Sequence, residues 1–376
     1  MISFYGMLRK ILAISVVFYI SVIVACAQSN VKEGNNSFAL YTKTKDIAKL
    51  LDARKYADAA YVLKRDSFSY RNNLLRAMVY SSLAVADPDR KQSYKKDPID
   101  ETFLALSRLN DKQLNFDNQP KIVFVKKQLS EAFLQKANQA ISKGNDKEAL
   151  NMYKALDSLK VGGDHEVGHN LALLYERLGQ KDQAIAMYKE LVGNPEKTKS
   201  AYILSLAKLY DSLGNPKDQI DILLKGREQF PKNKDILFEL VNTFANAGAY
   251  DEIVPLLDDA LGFEPGNVNL NYLAGYANEV VGNRVLAENF YKKVISLDAN
   301  NYNGNFELGL LYLRDFLENP ADISKRDSVQ IYLLKANEID PNAINALKSL
   351  ALFYNKTGDF MQLERVNSKL NQISLY

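Results

Sequence analysis

The sequence predicts an all-α fold, a solenoid of about nine helix–turn–helix units, and three observations carry that prediction. Glycines suited to turns recur at a fixed interval: Gly144, Gly179, Gly214, Gly248 and Gly282 are spaced 35, 35, 34 and 34 residues apart. Prolines that stop helices keep the same register, with Pro231 and Pro265 34 residues apart and Pro341 in the same local setting, Ile339-Asp340-Pro341-Asn342. Between these marks the apolar residues fall at i, i+3, i+4 and i+7, the period of a helix with one buried face. A repeat of this length marks stacked units, none of which buries its apolar face alone.

The individual units follow in order. Residues 169–191 (HNLALLYERLGQKDQAIAMYKEL) form a helix, a glycine turn and a second helix, and the segments beginning at Leu204, Phe238 and Leu273 repeat the pattern. These segments resemble the tetratricopeptide repeat almost position by position. The resemblance implies a right-handed α-solenoid. It also implies small residues where helix A meets helix B, supplied here by Ala172, Ala207, Gly275, Gly309 and Ala351, and on helix B by Ala149, Ala184 and Ala287. Two helices come closer than about 9 Å only where the side chains between them are small. The aromatic between successive hairpins is Tyr175, Tyr210, Phe244, Tyr312 or Tyr354.

The match is specific over residues 119–376, which read as one solenoid. Between Arg314 and Asp327 the next-to-last unit carries extra residues (FLENPADISKR), expected to lengthen its inter-helix turn. Residues 38–118 read as irregular repeat-like helices. There Lys55 to Ala60 resembles a turn entering a helix B, residues 72–86 resemble a helix A, and residues 87–100 form a polar insertion before a helix over 99–109.

The N-terminus carries an export signal. Arg9 and Lys10 form a basic start, and residues 11–25 are apolar, too short to span a bilayer permanently and suited to a signal peptide over residues 1–26. Two processing signals overlap at its end. Ala25-Cys26-Ala27 has the small-x-small form cut by signal peptidase, leaving Gln28 first. Ile23-Val24-Ala25-Cys26 resembles a bacterial lipobox, with Cys26 as the acylated residue. The lipobox is favoured because Cys26 is the one cysteine in the chain and stands where acyl chains would go. Residues 27–37 (AQSNVKEGNNS) have the composition of a flexible tether. The chain is therefore expected at the envelope, anchored to the outer membrane or periplasmic, and touching membrane only through a lipid.

Charge narrows the partners. The chain has 48 Lys and Arg against 45 Asp and Glu, and two of the basic residues lie in the leader, so the mature chain is nearly neutral. Neither nucleic acid nor an anionic membrane surface has an electrostatic case. A single cysteine allows no internal disulfide.

His165-Glu166-Val167-Gly168-His169 has the form H-E-x-x-H, which on a helix would place two imidazoles on one zinc with Glu166 as general base. His165 and His169 are the only histidines, so no third supplies the remaining ligand of a catalytic site. The motif also falls on the opening turn of a repeat helix, just after Gly162-Gly163, and a zinc peptidase is a distant alternative. No glycine-rich phosphate loop or G-x-S-x-G elbow occurs. No metal, no cofactor and no enzymatic activity are expected.

The resemblance implies a groove lined by helix A residues that binds other proteins or extended peptides. Carried onto this chain, its centre is Phe238, Asn242, Tyr272, Tyr276 and Phe306, with Glu279 and Arg314 beside them. The aromatics would take apolar side chains and the amides would hold a peptide backbone. The expected function is a non-enzymatic binding scaffold at the bacterial envelope. The alternative is a structural lipoprotein subunit of an outer-membrane assembly or secretion complex.

Overall fold

The computed structural model describes residues 30–62, 66–159 and 165–374. The signal peptide and Cys26 lie outside them. All regular structure in these residues is helical and no strand occurs among them. No helix among them is long and apolar enough to cross a membrane. The chain divides into two compact units, Met1–Lys197 and Thr198–Tyr376. The boundary lies within the stretch that the sequence presents as one solenoid from residue 119. It falls in the seven-residue break 193–199, where later repeats are joined by four residues such as 230–233.

The first unit begins with α1 (residues 30–44) and α2 (Ile47–Ala60). The tether expected over 27–37 is thus helical from residue 30 onward. Its polar composition hides a helical stripe: Val31 and Tyr41 pack against the core that contains Phe38, and a Cβ on Gly34 would stand 2.7 Å from Leu75 Cδ2. Composition alone concealed a period that packing uses. The turn expected at Lys55 to Ala60 is instead the last part of α2, whose Ala53, Ala57 and Ala60 are buried.

α3 (Tyr70–Ala86) is the axis of this unit, with thirteen of its seventeen residues buried. A helix covered on all sides must satisfy its polar groups internally. Arg76 does so by bonding Asp58 of α2 at 2.5 Å and Glu101 at 2.8 Å, between the rings of Tyr61 and Tyr80. Residues 87–97 are polar as expected, but they are knitted. Asp87 accepts from the Lys91 and Gln92 amides and the Tyr94 hydroxyl, and Arg90 bonds back to Ala84 O and to Asp97. Asp97 then caps α4 (Pro98–Ser107), close to the helix expected over 99–109. After α5 (Lys112–Asp117) come the pairs α6 (Gln119–Ser142) with α7 (Asp146–Ser158) and α8 (His165–Arg177) with α9 (Lys181–Val192).

The second unit continues the hairpins. α10 (Ser200–Ser212) pairs with α11 (Pro216–Gln229), and α12 (Lys234–Ala247) with α13 (Tyr250–Ile253) and α14 (Leu257–Phe263). The latter two are one helix B broken by a 3₁₀ turn at Pro255, which cannot donate to the helical ladder. α15 (Val268–Val280) pairs with α16 (Arg284–Leu297), α17 (Tyr302–Glu318) with α18 (Ile323–Ile339), and α19 (Ile344–Thr357) with α20 (Phe360–Ser374). The insertion between Arg314 and Asp327 lengthens the turn by one residue only, to 319–322 against 281–283 in the preceding unit. It lengthens the helices to seventeen residues each, because Phe316 is buried and Asp322 caps α18.

One bond pattern shapes the turns in both units. The turn glycines Gly144, Gly179, Gly214, Gly248, Gly282 and Gly358 all have φ between 64° and 85°, a region that L side chains rarely adopt. Each lets the next amide turn back to a carbonyl five residues earlier, as Gln180 does to Tyr175, Asn215 to Tyr210 and Asp359 to Tyr354. Several asparagines serve the helix starts. Asn267 and Asn301 cap α15 and α17, while Asn271 and Asn305 donate to the carbonyls of the preceding break. Asn73 makes the same pair of bonds on α3, which identifies it as a helix A within the irregular region.

Candidate partner-binding site

The small residues bring helix A close enough to helix B to shape a wall. Ala172, Ala207, Ala149, Ala184 and Ala287 are fully buried, and Tyr210, Phe244, Tyr312 and Tyr354 are buried between hairpins. At Gly275 the approach is closest: a Cβ there would stand 2.5 Å from Tyr291 Cε1. Tyr291 of α16 therefore lies directly under α15 and reaches through to the wall, where its hydroxyl donates to Glu279 Oε2 at 2.9 Å.

Tyr272 and Tyr276, four residues apart on α15, stack with centroids 6.4 Å apart. Tyr250 of α13 meets Tyr276 edge-on at 5.1 Å, and Tyr291 meets Tyr272 at 6.0 Å. Four rings from three helices thus form one continuous cluster, with Tyr250, Tyr272 and Tyr276 partly exposed and Tyr291 buried beneath them. The Tyr272 hydroxyl then donates across to Glu307 Oε1 of α17 at 3.5 Å, and Arg314 of α17 donates to Glu279 Oε1 at 2.5 Å. Burial, then the Glu307 charge, raises the Tyr272 hydroxyl well above its ordinary range. Burial and Glu279 do the same to Tyr291.

Phe306 of α17 stacks on Tyr302 at 5.5 Å. Phe238 and Asn242 lie on α12, one hairpin before α15 and two before α17, Phe238 half-buried with Lys234 Nζ 5.7 Å from its ring and Asn242 exposed. The expected groove residues are therefore partly joined: Tyr272 and Tyr276 meet directly, and α15 is tied to α17. Tyr272 and Phe306 also pack against the core, so they are shared between wall and interior. Sequence reasoning missed Tyr250, Tyr291 and Glu307. Tyr291 is on a helix B, Tyr250 opens the broken one, and Glu307 follows Phe306 at a position outside the family's groove set. Periodicity carried no signal for any of them.

His165 is the first residue of α8, and the ring of His169 lies 6.2 Å from that of Tyr188. Among the described residues, no group of three or more His, Cys, Asp or Glu is arranged to hold a metal. Glu166 is exposed in the first turn of the helix.

Comparison with known proteins places one of these hairpins. Residues 166–197 match the tetratricopeptide-repeat family model. The match covers α8 and α9, which contain Ala172, Tyr175 and Ala184. Several solved structures show a limited likeness to this chain. A crystal structure of MamA protein has a TM-score of 0.41 and 18% identity, over 46% of this chain and 91% of that one. A MamA structure from AMB-1 scores 0.38 at 20% identity, over 48% and 93%. MamA from residue 41 onward of Desulfovibrio magneticus RS-1 scores 0.38 at 16% identity, over 48% and 98%. These are likenesses of helical architecture over less than half of this chain and say nothing of its partners. No curated protein matches the sequence.

Proposed function

We propose that this chain is a non-enzymatic scaffold that binds another protein, or an extended peptide, on the wall formed by α12, α15 and α17. The observation that carries the reading is the run of half-exposed rings Tyr250, Tyr276 and Tyr272 beside the Glu279–Arg314 pair. Aromatic rings that are partly open and flanked by polar groups are the composition of binding hot spots. Exposed amides at Asn242, Asn269 and Asn303 border the same wall and suit main-chain hydrogen bonding to an extended segment.

The proposal extends to location: the scaffold is exported and held at the envelope through Cys26, with a soluble periplasmic form as the alternative. Its support is the basic start, apolar stretch and lipobox-like end of residues 1–26. The test of function is affinity capture after gentle detergent extraction, with mass spectrometry of what co-purifies. Phe238→Ala/Tyr276→Ala should lose the partners that the parent captures while keeping its helical circular dichroism. Capture that survives the double substitution would remove this wall from consideration. A partner held in fixed stoichiometry would favour a structural subunit over a transient binder.

A further inference from the structure

The two carboxylates on this wall are unequally provided for. Glu279 accepts from Tyr291 at 2.9 Å and from Arg314 at 2.5 Å. Glu307 accepts from one hydroxyl, that of Tyr272, at 3.5 Å, near the limit at which a hydrogen bond contributes anything. The titratable and charged groups around Glu307 are Tyr272 and Glu279 of α15, Tyr291 of α16, and Tyr302 and Arg314 of α17. Two carboxylates therefore face one guanidinium, and that guanidinium is bonded to Glu279. Burial and the Glu279 charge push the Glu307 carboxyl up to about 7, and Tyr272 and Arg314 offset only part of that rise.

A segment lying on this wall would bury Glu307 further. An apolar side chain there would further desolvate a carboxylate that has one weak donor and no bonded counter-charge, and an acidic one would add a third negative charge; both are costly. A basic side chain would instead supply the missing counter-charge and lie against the face of Tyr272 or Tyr276. We infer that Glu307 is the specificity-determining group of the wall and selects a lysine or arginine side chain in the segment bound there. This inference rests on the proposal that the wall binds a protein segment.

The test uses a phage-displayed library of random peptides selected on the full protein. Selected peptides should share one basic position. Replacing that residue by norleucine should weaken binding about tenfold. Glu307→Gln should cause a similar loss for the basic peptide and none for its norleucine version. Affinity of the basic peptide should also fall between about pH 8 and about pH 6, as Glu307 takes up a proton, and stay flat in Glu307→Gln. Peptides that lose binding in Phe238→Ala/Tyr276→Ala yet show no basic position, or keep that preference in Glu307→Gln, overturn this inference alone. Peptides indifferent to the Phe238→Ala/Tyr276→Ala substitution, or no selected peptides at all, overturn the wall as a binding site and this inference with it.

Discussion

Gly275 of α15 and Tyr291 of α16 are in contact with no side chain between them, since a Cβ on residue 275 would stand 2.5 Å from Cε1 and 2.6 Å from Cδ1 of the ring. Tyr291 is fully buried and its hydroxyl is held by Glu279, so the ring has no free direction in which to move. Alanine favours a helix over glycine by about 1 kcal/mol, but overpacking of this kind costs about 1–3 kcal/mol. Gly275→Ala should therefore lower the thermal midpoint. Gly262→Ala, where a Cβ meets nothing within 4 Å, should leave it unchanged or raise it. A midpoint for Gly275→Ala at or above the parent's would show that the two helices slide apart freely.

Glu307 makes stability depend on pH. Its carboxyl is raised from the ordinary 4.5 to about 7, chiefly by burial and then by Glu279, so the fold favours the protonated form. That contribution is fully present below about pH 4.5, declines through the interval up to about pH 7, and is lost above it. Glu307→Gln keeps the shape without the charge. Its stability relative to the parent should rise from about pH 5 to about pH 8, by on the order of 1 kcal/mol once partial exposure is allowed for. Thermal melts of both proteins across this range decide the matter, and a difference that stays constant with pH would refute it.

Arg76 should be the most costly ion-pair residue to remove in the first unit. It is 4% exposed and bridges Asp58 and Glu101, and Glu101 is itself buried. Burial alone would lower the Arg76 pKa, yet the two carboxylates hold it above the ordinary value. Arg76→Met leaves Glu101 buried without its counter-charge, at a cost of about 3–5 kcal/mol. Arg76→Lys should recover little, because an ammonium cannot fork to two carboxylates and stack between two rings. Hydrogen exchange should show lost protection in α2, α3 and α4, and a loss below about 1 kcal/mol would contradict the assignment.

Cys26 decides the anchoring. If it is acylated, the native protein partitions with membranes and incorporates labelled palmitate, and Cys26→Ser leaves it soluble or unprocessed. A mature N-terminus at Gln28 with no label would establish cleavage by signal peptidase instead.

The helical hairpins, their small contact residues and their turn glycines were legible in the sequence because each is a local requirement repeated at a fixed interval. Gly248 needs a left-handed φ and Ala184 needs to be small in every copy of the unit, so one period reveals both. Two features were not legible. Residues 30–37 were read by composition, and their stripe of Val31, Gly34 and Phe38 became visible only against Leu75 and the core of the first unit. The extra residues after Arg314 were read as a longer turn, but burial of Phe316 recruited them into the helices.

The wall shows the same division at the level of side chains. The sequence by itself determined that Tyr272 and Tyr276 share one face of α15, because residues four apart on a helix are neighbours. Only the tertiary structure decided that Tyr291 reaches that face past Gly275, that Tyr250 closes its edge, and that Glu307 stands beside Glu279 with one weak donor. Those residues come from four different helices. Their meeting is set by the distance and rotation between packed hairpins, which a period along the chain does not encode.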